Sequence, residues 1–79
     1  MNLQVFRLPN DAAAHATVRG LQRSGLATRA GVRRRQAYVT VRSDRTDVLA
    51  LVSALVPTAV RVAVEHLPAP LPGEVPLFS

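Results

Sequence analysis

A period of two that gives way to helical spacing and then returns to two leaves a chain few ways to fold, and residues 36–67 do this in one short run. Ala37, Val39 and Val41 alternate with Tyr38, Thr40 and Arg42, which predicts a strand with one apolar face. Ser43 and Asp44 then carry side-chain oxygens suited to capping a helix. Asp47 falls in the expected first turn, where negative charge suits the helix dipole. Val48, Leu51, Val52 and Leu55 follow at three- and four-residue spacing, placing Leu51 beneath the central strands. Pro57 ends the helix, because it has no N–H to donate and its ring crowds the preceding turn. Val60, Val62 and Val64, alternating with Arg61, Ala63 and Glu65, predict another strand with the valines facing inward.

The first half repeats this grammar more weakly. Residues 3–8 alternate as a strand, with Leu3 and Val5 on one face and Gln4 and Phe6 on the other. Pro9 closes it, and Asn10 or Asp11 can cap a helix running to about Arg23 with an apolar stripe of Ala14, Val18 and Leu21. Gly20 within that helix costs about 1 kcal/mol against alanine. Ser24 and Gly25 suit its C-cap. Residues 26–32 make a second strand with Thr28, Ala30 and Val32 inward, weakened or bulged at Gly31. Arg33, Arg34 and Arg35 form a hairpin tip.

The order strand, helix, strand, strand, helix, strand gives two apolar helix stripes and one apolar sheet face to bury together. Right-handed crossovers then predict an α+β, ferredoxin-like βαββαβ domain over residues 1–67, with a four-stranded antiparallel sheet and both helices on one side. Beyond it, Pro68, Pro70, Pro72, Gly73 and Pro76 exclude helix and central strand, so residues 68–79 are expected to form an extended tail.

With 79 residues and 48% hydrophobic content there is enough apolar material for one small core. Cysteine is absent, which excludes disulfides and thiolate metal sites. No apolar run approaches the ~20 residues that span a bilayer. The opening MNLQVFRLPND is too short and polar for a signal peptide, so a cytoplasmic protein without a membrane partner is expected. The net charge is +5 and all ten basic residues are arginine. Arginine suits bidentate contact with phosphate or carboxylate; an Ala-, Val- and Arg-rich chain without lysine also fits a GC-rich coding bias.

The sheet face away from the helices is where chemistry is expected. Phe6, Tyr38, Thr40, Arg42 and Arg61 are placed there, with Gln4, Arg29, Arg33 and Glu65. Aromatics flanked by arginines suit a protein interface. They also suit stacking of unpaired bases, with Tyr38 as platform and Arg29, Arg33, Arg34, Arg35 and Arg42 on phosphates. A third reading makes Phe6 and Tyr38 cross-strand partners only. The three tip arginines are either phosphate contacts or a solvated turn that discourages edge pairing. His15 lies one helical turn from Asp11, but no nucleophile stands at a recognisable spacing, and two distant histidines make no metal site. With no glycine-rich phosphate loop either, neither enzyme activity, cofactor nor metal is expected.

The segment AYVTVRSDRTDVLALVSALVPTAVRVAVEHL resembles the second half of ACT domains, including the small regulatory subunits of acetolactate synthase, and QRSGL at 22–26 resembles their helix-to-strand junction. That resemblance implies a regulatory subunit or adaptor assembling through its sheet, with itself or a larger protein. LPND lacks the glycine of the ACT amino-acid-binding turn. LQVFRLP and AYVTV resemble the sheet motifs of RNA-recognition motifs, with Gln4 and Gln36 where stacking aromatics are usual. SPOR domains have a similar opening and size. Acylphosphatases share the topology, but RLPNDAAAH lacks their glycine-rich loop. In the tail, EVPLF resembles peptides that dock on the bacterial sliding clamp, with glutamate where glutamine usually leads; Val75, Leu77 and Phe78 would be the docking residues.

Overall fold

Alternation settles into six regular elements in the computed structural model, which describes residues 2–74. They are β1 (Leu3–Leu8), α1 (Asp11–Arg23), β2 (Ala27–Arg33), β3 (Gln36–Arg42), α2 (Val48–Leu55) and β4 (Val60–Val62), followed by a 3-10 turn at Val64–His66. The sheet is antiparallel in the order β2-β3-β1-β4, so the first and third strands are central, consistent with a ferredoxin-like arrangement.

α1 begins where Asn10, in extended conformation, accepts the Ala13 N–H at 2.8 Å. It ends at Ser24, and Gly25 takes the left-handed φ of +79° that returns the chain to β2. Thr28, Ala30 and Val32 alternate toward the helices as expected. Gly31 lies opposite Tyr38 in unbroken register, so β2 has no bulge there.

α2 is shorter than its spacing suggests. Its N-cap is Asp47, which makes no side-chain cap bond and instead pairs with Arg45 at 2.7 Å. Asp44 accepts the Asn2 N–H, and the Ser43 hydroxyl accepts the Arg45 N–H, so both expected caps hold the loop rather than the helix. The helix buries Val48 and Val52, with Val56 beyond its end, while Leu51 is only partly buried and Leu55 is exposed. The inward line is therefore the i, i+4 row through Val48, one step round from the row through Leu51. Pro57 follows Val56, whose extended backbone is what a residue before proline prefers.

The main core packs Phe6 and Leu8 of β1 with Val39 and Val41 of β3 beneath Leu21, Val48 and Val52. Each such side chain contributes about 1.5–3 kcal/mol on leaving water. Gln4 is buried on the same side, where its Nε2 donates to the Ser43 and Arg45 carbonyls, both at 3.1 Å, and ties β1 to the loop before α2. α1 and α2 meet at Gly20, where an added Cβ would stand 2.6 Å from Leu55 Cδ1. The glycine that weakens the helix thus permits this approach.

The faces of β1 and β4 are reversed from expectation, so Gln4, Phe6 and Arg61 lie on the helix side. Phe6, expected on the helix-free face, lies fully buried under the helices. Both alternating sets of β1 are apolar, so periodicity does not choose between them, and the larger pair, Phe6 and Leu8, fills the thicker layer. Arg61 pairs with Phe6 and so faces the helix side of edge strand β4, where it stays exposed. At the rim a long arginine reaches water past the core. Val62, the residue after it, turns to the other side, beside Val5 and Tyr38. β4 is also short, since Val64 and Glu65 belong to the 3-10 turn and not to the strand.

Candidate functional site: the helix-free sheet face

Three cross-strand rows define this face. The first sets Ala27 beside Arg42 and Leu3, and the second sets Arg29 beside Thr40, Val5 and Val62. The third sets Gly31 beside Tyr38, Arg7 and Val60. Of the residues expected here, Tyr38, Thr40, Arg29, Arg33 and Arg42 are brought together. Gln4, Phe6 and Arg61 are not, for the reasons above, and Glu65 lies in the 3-10 turn beyond β4. Arg7 joins the face because β1 is turned over, and no pattern within β1 alone points to it.

The face has two different halves. Arg7, Arg29 and Arg42 are exposed. Tyr38 is only 5% exposed and Val5 1%, because Val62 and Leu67 pack against them. Thr40 is also buried, with its hydroxyl donating to the Arg29 carbonyl at 3.4 Å.

Leu67 begins a strap. After the 3-10 turn the chain passes over the Val5–Tyr38 pair toward the β2–β3 hairpin. Arg33 Nη1 donates to the Pro68 carbonyl and Arg34 Nε to the Ala69 carbonyl, each at 2.9 Å. Pro72 and Gly73, the latter at φ +82°, then turn the chain, and the Glu74 N–H closes onto the Leu71 carbonyl at 3.2 Å. This brings the Glu74 carboxylate to the hairpin tip. It accepts the Arg34 N–H at 2.8 Å, the Arg35 N–H at 2.9 Å and the Leu71 N–H at 2.6 Å.

The tip suits that anion because of its backbone. Arg34 and Arg35 both have left-handed φ, +52° and +66°, as a two-residue hairpin turn requires. Arginine is an unusual occupant, since a left-handed residue other than glycine costs roughly 1–2 kcal/mol. The two successive N–H groups converge on one carboxylate, forming an anion-binding concavity. The Glu74 carboxyl is held below its ordinary range, first by the Arg35 N–H, with further help from the Leu71 and Arg34 N–H groups and the Arg34 charge. The expected solvated arginine tip is therefore engaged by the chain's own strap. The Pro72-Gly73 pair is a readable turn signal, but its partner forty residues earlier is not.

Val75, Leu77 and Phe78, expected as tail-docking residues, lie outside the described residues. Asp11 and His15 line a shallow hollow of about 110 Å³ with Ala14, Ala30, Gly31 and Val32. Among the described residues, no group of three His, Cys, Asp or Glu side chains is placed to hold a metal ion. No helix among them is long and apolar enough to cross a membrane. Comparison with protein-family models, with curated proteins and with solved structures finds no significant match for this chain.

Proposed function

We propose that this chain is a non-enzymatic binding module, a regulatory subunit or adaptor, whose working surface is the helix-free sheet face and whose partner is a larger protein with an acidic surface. The observation that carries this reading is the set of exposed guanidiniums of Arg7, Arg29 and Arg42, raised on neighbouring strands of one sheet face. Guanidinium forks offer paired donors to carboxylates and shed water more readily than ammonium groups. Two copies meeting through this face would oppose like charges, which disfavours a face-to-face homodimer and favours a distinct acidic partner. An overall charge of +5 would speed that encounter at low salt.

The same three arginines also favour a second reading, contact with nucleic-acid phosphates. Base stacking has less support, because Tyr38 lies under Leu67, and so has a free phosphate-binding tip, because Glu74 occupies the N–H groups of Arg34 and Arg35. A photo-crosslinking residue placed at Arg42, with a control at Arg19 on α1, separates these readings in cells. A discrete protein adduct at position 42, lost on Arg29→Glu, is the expected result. A nucleic-acid adduct would favour the second reading, and equal labelling at both positions would overturn both.

A further inference from the structure

The ground beneath the strap has the parts of a peptide receptor. Its floor is apolar, made by Val5 and Tyr38, which Leu67 covers. One wall carries two guanidinium donors at successive residues, Arg33 and Arg34, and they hold successive backbone carbonyls, Pro68 and Ala69. The far end is the N–H concavity of Arg34 and Arg35, which receives a carboxylate. Apolar anchor, extended backbone and anion thus meet three kinds of complementary group in order along one groove. Proline at positions 68, 70 and 72 lowers the freedom that the occupant loses on docking.

We infer that this groove is a docking site for an extended, proline-rich, carboxylate-bearing segment of a partner protein, and that residues 67–74 are its resident occupant in cis. The basic wall selects the acid-bearing segment by charge. The strap hangs from β4 by a single 3-10 turn, and so short a tether gives it an effective concentration on the order of millimolar. A free segment of equal intrinsic affinity is therefore excluded from the intact groove. It gains entry when the Glu74 latch is weakened or when it binds more strongly. This site stands on the strap contacts alone and does not depend on the arginine face.

The test uses the full chain and its Glu74→Gln variant, with a capped peptide of the sequence of residues 67–74 as probe. The substitution removes the charge and one acceptor oxygen, leaving the domain core untouched. In Glu74→Gln the amide protons of Arg34 and Arg35 should shift upfield and exchange faster. Added peptide should then return them downfield, with roughly tenfold tighter binding than to the unaltered chain. A peptide with glutamine in its last position should not restore them. Unchanged Arg34 and Arg35 amides in the variant would overturn the proposal, as would a peptide that binds neither chain or binds both equally. Dimerisation of the variant without peptide would give the groove to a second copy and also overturn it.

Discussion

The two sides of the sheet are closed by different physics. On the helix side, Phe6, Leu8, Val39 and Val41 are sealed under Leu21, Val48 and Val52, and stability comes from volume filled and water excluded. On the strap side a small apolar pair is covered by Leu67, while guanidiniums, carbonyls and one carboxylate supply the rest. A packed layer resists any change of shape. A latch of exposed directional bonds can open without unfolding what lies below, because its free energy of opening is separate from that of the core. The difference predicts which perturbations each side feels.

The largest effect is expected at Phe6. Phe6→Ala should cost about 3–5 kcal/mol, through lost transfer energy and a residual cavity. For a domain of this size that is a large share of total stability. Chemical denaturation measures it, and a shift below 1 kcal/mol would return Phe6 to the helix-free face. Leu67→Ala should cost less, about 1 kcal/mol, since Leu67 is only partly buried. It should speed exchange at the Arg34 and Arg35 amides more than at Val39 or Val41. Uniform loss of protection would mean that strap and core open together.

Acid should act on the strap through Glu74. The Glu74 carboxyl has its folded pKa depressed, so its stabilisation is fully present above the unfolded value of about 4.3 and is lost as pH falls through the lower folded value. Arg34 and Arg35 amide shifts followed from pH 6 downward should titrate below the ordinary glutamate midpoint, and this transition should vanish in Glu74→Gln. A midpoint at or above the ordinary value would show that the N–H concavity does not favour the anion. Asp47 is depressed too, chiefly by its hydrogen bond from Arg45, so its titration must be assigned separately. The smallest effect is expected at Gly20. Gly20→Ala gains about 1 kcal/mol of helix propensity. It also drives the flexible end of Leu55 from its place, so thermal stability should move little in either direction. A large loss would mean that the helix contact is rigid.

Where sequence reasoning succeeded, a single face was apolar. β3 alternates Ala37, Val39 and Val41 with polar neighbours, and its orientation is as expected. In β1 both faces carry apolar residues, so alternation was visible and its sense was not, whereas in β4 the valine face was plain and edge pairing with β1 turned it away from the helices. The reversal of these two strands moved Gln4, Phe6 and Arg61 off the candidate face and brought Arg7 onto it. It also hid the floor of the groove, because Val5 and Val62 were expected on the opposite side.

What the sequence by itself determined is the succession of elements, the caps of α1 and the proline stop after α2, and hence the βαββαβ topology. Each of these follows from interactions between residues a few positions apart: periodicity, an Asn10 cap, a Gly25 exit and a proline stop. Only the tertiary structure decided that the second sheet face is half covered. The contact between Glu74 and the Arg34–Arg35 turn joins residues about forty positions apart, and neither end advertises the other. Arginine is no turn former, and glutamate after glycine reads as solvent. The left-handed backbone of that hairpin arises from strand pairing and twist, and its exposed N–H groups become an anion site only because the strap reaches them.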